Sequence, residues 1–152
     1  MERNLEKDFQ RVSIGGVFTA NAPTGPTHIV FLENDNNMVL PIYIGAAEAF
    51  SIQTALEKIP YPRPLTHDLL LSIIEGLKME IIKVIIDDLN DGIFFARLII
   101  KSNGEEHEFD ARPSDSIALA ARCQVPVYVA TSIMETASVD KNSYIDRDSH
   151  KD

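Results

Sequence analysis

The spacing of apolar residues changes from two to three-and-four at two places in the chain, each time after three strand-like stretches. From Arg11 to Ile44 the period is close to two: Val12, Ile14, Gly16 and Phe18 alternate with Arg11, Ser13, Gly15 and Val17. Pro23-Thr-Gly-Pro26 turns the chain, and His28–Glu33 and Met38–Ile44 read as two further, antiparallel strands. Gly45 breaks the pattern. Ala49, Ile52, Leu56 and Ile59 then fall on one helical face, which predicts a helix over Ala46–Ile59. Pro60-Tyr-Pro-Arg-Pro64 ends it, because proline lacks the amide hydrogen and restricts the residue before it. Thr66 is a suitable N-cap for a second helix that stops near Gly76.

The same order returns in the second half. Met79–Asp87 and Ile93–Lys101 flank Asp88-Leu-Asn-Asp-Gly92, whose Asp-Gly pair suits a hairpin. Glu105–Ala111 follows a turn at Ser102-Asn-Gly104, Ser114–Cys123 reads as a helix, and Val125–Ala130 is a short apolar strand. The predicted order is βββα-α-βββα-β, an α+β fold with helices packed on an antiparallel or mixed sheet and two halves of similar layout. Residues 1–137 are expected to form a single domain, and 138–152 are polar enough to predict a flexible C-terminal tail.

Composition limits the chemistry. The chain has 152 residues, 45% of them hydrophobic, enough for one core without disulfide or metal staples. Its single Cys123, the charged start Met1–Gln10 and the lack of a run of roughly 18 apolar residues lead us to expect a cytoplasmic protein outside the membrane. Fourteen basic against 23 acidic side chains give a net charge of −9, which argues against tight nonspecific binding of duplex nucleic acid. There is no phosphate-loop, dinucleotide or His-Glu-x-x-His motif. Cys123, late in an Ala-rich helix, reads as a small core residue.

Three places carry candidate chemistry. On a helical wheel Glu48 lies about 40° from Ile52, so its carboxylate points with the core face and needs an arginine, a metal, a proton or a watery cleft; a first-turn acid answering the helix dipole is the structural alternative. His67 projects with Leu70, Leu71 and Ile74, whereas Asp68 joins Ser72 and Glu75 on the polar stripe. His67 is then either a base or ligand kept neutral by the positive helix end, or a core histidine bonded to a carbonyl, and Asp68 suffices as a first-turn acid. The densest constellation is Phe109-Asp-Ala-Arg-Pro-Ser-Asp-Ser116, where Asp110, Arg112, Ser114 and Asp115 gather at a strand-to-helix junction. Arg112 can grip a phosphate or simply pair with Asp110. Asp110 with Asp115 can hold a divalent cation, and Ser114 can cap the helix. Phe50 points away from the core face of its helix and is a candidate contact with a second subunit.

Leu40-Pro-Ile-Tyr-Ile-Gly-Ala-Ala-Glu48, Pro62-Arg-Pro-Leu-Thr-His-Asp-Leu-Leu70 and Asp110-Ala-Arg-Pro-Ser-Asp-Ser-Ile-Ala-Leu-Ala120, followed by Val125-Pro-Val-Tyr-Val129, resemble the bifunctional nuclease domain family. The resemblance covers roughly Val12 to Val129 and implies a small, cytoplasmic, commonly dimeric bacterial α+β protein, in a family named for cleaving both DNA and RNA. It marks Glu48, Arg63, His67, Asp68, Asp110, Arg112, Ser114 and Asp115 as the polar motif positions. The expectation is a metal-assisted phosphodiester hydrolase. Acids among Glu48, Asp68, Asp110 and Asp115 would hold Mg²⁺ or Mn²⁺, Arg63 or Arg112 with Ser114 would bind weakly held nucleic acid, and His67 would move a proton. The alternative is a noncatalytic dimeric binding or regulatory module that uses the same motifs structurally.

Overall fold

In the computed structural model, which describes residues 8–143, the first strand is unusually long. β1 (Phe9–Ala22) runs for 14 residues and serves two neighbours. Phe9–Val12 pair antiparallel with β7 (Val127–Ala130), whereas Ser13–Ala22 pair with β2 (Gly25–Glu33). The handover coincides with a bulge between Ile14 and Gly16. Gly16 has φ of +136°, and a Cβ on Gly15 would stand 2.5 Å from Glu33 Oε1. Paired glycines therefore let the strand bend beneath a carboxylate, which side-chain-bearing residues would resist.

β2 leads to β3 (Met38–Ile44). A second meander comprises β4 (Glu80–Asn90), β5 (Ile93–Ser102) and β6 (Glu105–Ala111). Asp91 and Gly92 both take positive φ, 52° and 77°, as the predicted two-residue hairpin turn requires. Among the described residues eight strands form one sheet, in the order β6-β5-β4-β7-β1-β2-β3-β8, with β8 at Val139–Asp140. β4 and β7 run parallel, and the other neighbours are antiparallel. Each meander thus extends outward from the β7–β1 centre, in line with two halves of similar layout.

Each meander feeds a helix: α1 (Ala46–Glu57) after β3 and α3 (Pro113–Cys123) after β6, with α2 (Thr66–Gly76) between the halves. α1 and α3 pack against each other over one face of the sheet. The core joins Val30, Leu32, Leu40 and Ile42 of the first meander to Val84, Ile86, Ala96 and Leu98 of the second, under Ile52, Ile117 and Leu119 of the helices. Among the described residues the core holds one polar misfit. Ser116 Oγ is buried with no hydrogen-bond partner. Ser116→Ala removes an unsatisfied hydroxyl and improves helix propensity, so it is expected to raise unfolding free energy by about 1–2 kcal/mol in urea titration. An unchanged midpoint would show that the hydroxyl is satisfied in solution.

Boundaries depart from the sequence reading in specific ways. Leu65, not Thr66, caps α2, because Asp68 Oδ2 reaches back to accept the Leu65 N–H at 2.9 Å. Arg112, not Ser114, caps α3, with Pro113 at the first position, where a missing amide hydrogen costs nothing. The short α4 (Thr131–Ala137) has no counterpart in the sequence reading, since seven residues are too few to show a period; it is held by burying Ile133 and Met134. Val139 pairs with Val39 and the Lys141 amide donates to the Asn37 carbonyl, so the first residues of the expected tail join the sheet through backbone rather than core. The remainder of that tail, residues 144–152, lies outside the described residues. No helix among the described residues is long and apolar enough to cross a membrane.

Candidate functional site

Each of the three long helices begins with an acidic residue at its third position: Glu48 in α1, Asp68 in α2 and Asp115 in α3. There a carboxylate faces uncapped amides and the positive end of the helix dipole, so sequence position alone makes a negative charge favourable. Asp68 meets this demand locally at Leu65. Glu48 and Asp115 instead turn to a common cation. Arg112 donates from Nε to Asp115 Oδ2 at 2.9 Å, from Nη2 to Asp115 Oδ1 at 3.1 Å, and from Nη2 to Glu48 Oε1 at 3.0 Å. The guanidinium side chain remains 64% exposed above the pair.

Beneath it lies His67. Its Nε2 is 2.9 Å from Asp115 Oδ1, and its Nδ1 is 2.6 Å from Ser51 Oγ. Both His67 and Ser51 are buried. An ionised Asp115 only accepts, so the network assigns a hydrogen to His67 Nε2, and the neutral ring then takes the Ser51 hydroxyl proton on Nδ1 as a hydrogen bond. Burial pulls the Asp115 carboxyl upward, but hydrogen bonds from Arg112 and His67, with the charge of the guanidinium, outweigh it and hold the group below its ordinary value. The bonds to Asp115 and Glu48 raise the Arg112 guanidinium still further above its usual range. Glu48, Ser51, His67, Arg112 and Asp115 line a cleft of ≈ 280 Å³, with Phe50 and Thr66 at its walls.

Asp68 faces another arginine. Its Oδ1 accepts from Arg122 Nε at 2.7 Å, while Arg122 Nη1 donates to the carbonyls of Ala118 at 2.9 Å and Ser51 at 3.3 Å. Burial raises the Asp68 carboxyl, and the Arg122 and Leu65 hydrogen bonds more than reverse this, leaving it lowered. Arg122 thus ties α2 to α1 and α3 behind the cleft. Neither Arg122 nor Ser51 stands out in the sequence reading, although the helical wheel carries the signal: Arg122 falls about 20° from Asp115, and Ser51 about 60° from Glu48.

Other expected members stand apart. Asp110 is opposite Arg97 in the β5–β6 register, and its carboxylate lies 3.5 Å from Arg97 Nη1, so it joins neither Arg112 nor Asp115. Arg63 is exposed on the loop leading to α2, outside the hydrogen-bonded cluster. Ser114 is buried at the second position of α3, on the other side of Arg112. Among the described residues no group of three or more His, Cys, Asp or Glu is placed to hold a metal ion. Mg²⁺ prefers near-octahedral oxygen coordination, but the two nearest carboxylates are spanned by a guanidinium. This donor set does not fit the cation expected at Asp110 and Asp115. Burial raises the Cys123 thiol, whose Sγ–H donates to the Leu119 carbonyl at 3.0 Å, as suits a structural cysteine.

Comparison with known proteins places these residues in a wider set. The model of the bifunctional nuclease domain matches residues 29–142, which include every cleft residue named above. An uncharacterized protein of Mycobacterium tuberculosis is 38% identical over 117 residues, covering 77% of this chain and 70% of that protein. Bifunctional nuclease 1 of Oryza sativa subsp. japonica is 29% identical over 111 residues, 70% of this chain and 34% of the rice protein. Bifunctional nuclease 1 of Arabidopsis thaliana is 26% identical over 118 residues, 76% of this chain and 36% of the plant protein. The matched region therefore spans about a third of these plant relatives.

Proposed function

The chain belongs to the bifunctional nuclease domain family, and on that basis we propose that its Arg112 cleft hydrolyses phosphodiester bonds of DNA and RNA. The observation that carries this reading is a solvent-facing guanidinium directly above a buried, carboxylate-held imidazole. Hydrolysis needs three things: charge balance for the phosphate oxygens, removal of a proton from the attacking water and return of one to the leaving oxygen. Arg112 supplies the first, since neither carboxylate uses its Nη1. His67 supplies the second and third. Asp115 on Nε2 steadies the imidazolium when Nδ1 takes a proton, and water gains access to Nδ1 by displacing the Ser51 hydroxyl. Glu48 fixes the guanidinium from its other side. The net charge of −9 implies a weakly held substrate.

Purified protein is to be incubated with single-stranded RNA and DNA in Mg²⁺, in Mn²⁺ and in chelator. Cleavage that persists in chelator and is lost in Glu48→Ala/Asp115→Ala is the expected result. Equal activity in wild type and double variant would end the reading. Loss of cleavage in chelator alone would keep the hydrolase but replace the arginine-centred account with one in which a cation displaces Arg112.

One observation favours a second reading, a noncatalytic dimeric module. Phe50 packs edge-on against Tyr61 with ring centroids 5.4 Å apart, yet both stay exposed, as do Leu69 and Ile73 of α2 and Leu77 at its C-cap. Light scattering is expected to show a dimer that Phe50→Glu weakens. An unaltered mass would remove this face from the interface.

A further inference from the structure

We propose that the groove on the far side of Arg112 is a nucleobase subsite, and that the preferred substrate is a single strand whose base stacks on Tyr43 while its phosphate lies on Arg112. The inference deepens the phosphodiesterase reading and rests on it. The groove, ≈ 420 Å³, runs between the β3–α1 junction and the β4–β5 hairpin and ends at the start of α3. Arg112 lines both this groove and the His67 cleft, so a ligand on its guanidinium reaches both.

The lining has the chemistry of a nucleotide site. Tyr43 alternates with buried Ile42 and is 69% exposed, on the end of β3 that pairs with β2 alone, since β8 reaches only Met38 and Val39. Ile93, 61% exposed, and half-buried Phe94 supply apolar surface across the groove, and Gly45 and Gly92 add no side chain to narrow it. A cation at one end and an aromatic face along the side match a planar uncharged ring tethered to an anion. Paired bases in a duplex do not offer that ring face. Stacking is also tolerant of sequence and sugar, which suits a family named for acting on two kinds of nucleic acid, and it gives an anionic protein affinity that does not depend on a basic stripe.

The chain contains no tryptophan, so Tyr43→Trp places a single reporter in the groove while keeping an aromatic face. Full-length Tyr43→Trp is to be titrated with adenosine 5′-monophosphate, a short single-stranded oligonucleotide, ribose 5-phosphate and inorganic phosphate. Saturable quenching by the first two but not by the last two is expected. Tyr43→Ala should raise KM for single strands about tenfold with little change in kcat. A titration flat for adenosine 5′-monophosphate and oligonucleotide overturns the subsite. If the same protein still cleaves single strands, the phosphodiesterase reading stands without it; saturable quenching without any cleavage keeps the subsite and removes the hydrolase. Indole emission of the Tyr43→Trp protein that tracks its own dilution, together with a change in mass by light scattering, would assign the groove to a second copy of the chain and also overturn the subsite.

Discussion

His67→Ala is expected to slow phosphodiester cleavage by about 10²–10⁴-fold, the usual contribution of a positioned acid–base group. The loss should fall on kcat, because the phosphate is gripped by Arg112 rather than by the buried ring; Arg112→Met should instead raise KM as well as lower kcat. No other described histidine substitutes: His28 is bonded to Thr19 on the first meander, and His107 is exposed on β6. Truncating a buried residue also strips Ser51 and Asp115 of a partner, at a cost of about 1–3 kcal/mol. Asp115→Asn separates the two effects. It keeps the volume and most hydrogen bonds but removes the charge that stabilises imidazolium, so activity should fall with a smaller change in melting temperature. Initial rates on single-stranded RNA, with circular dichroism on the same samples, are the measurement. A His67→Ala protein that is folded and as fast as wild type would remove the imidazole from the reaction.

Why some of this site is legible in the sequence and some is not follows from the range of each signal. Glu48, His67 and Asp115 are readable because a helical period fixes which way a residue faces from its immediate neighbours. Arg112 is readable as a cation beside a helix start. Its partner is not: the local candidate is Asp110, and the observed partners are Asp115 three residues on and Glu48 from the other half of the chain. Asp110 goes to Arg97 because strand register sets them opposite each other, and register between β5 and β6 depends on turn geometry rather than on either residue. Ser51 reads as no more than a small residue on an apolar helix. Its role exists only once α2 brings His67 within 2.6 Å.

The fold is legible to a similar depth. Alternation and the two hairpin turns mark the strands of both meanders, and the β3–α1 and β6–α3 junctions show as breaks in period. The parallel meeting of β4 and β7 and the sharing of β1 between β7 and β2 are choices of pairing, not of local conformation, and no local pattern encodes them. β8 illustrates the opposite error. Ser138–Lys141 are too polar for the core, but an exposed edge of β3 offers unpaired backbone groups, and pairing with an edge needs no apolar side chain.

Arg122 provides the test of whether the three helix starts depend on a common brace. Arg122→Ala is expected to lower unfolding free energy by about 2–3 kcal/mol, since it removes a buried guanidinium together with its bonds to a carboxylate and two carbonyls. For a chain of this size that corresponds to a fall in melting temperature of about 5–10 °C. Little of the effect should come from the ion pair as such, because the Asp68 side chain is 40% exposed and solvent screens it. The pH dependence identifies that share. Asp68 is lowered from an ordinary value of 3.8, so its contribution is present above that pH and disappears as pH falls through the depressed folded value. The difference between wild type and Arg122→Ala should therefore be largest near neutrality and shrink below about pH 4. Arg122→Lys should recover the charge but not the simultaneous reach to Asp68, Ala118 and Ser51, and so restore only part of the stability. A melting temperature within about 1 °C of wild type for Arg122→Ala, well inside the shift expected for 1 kcal/mol, would mean that α2 is held by its apolar contacts alone. His67 would then owe its position to Ser51 and Asp115 rather than to the arginine behind them.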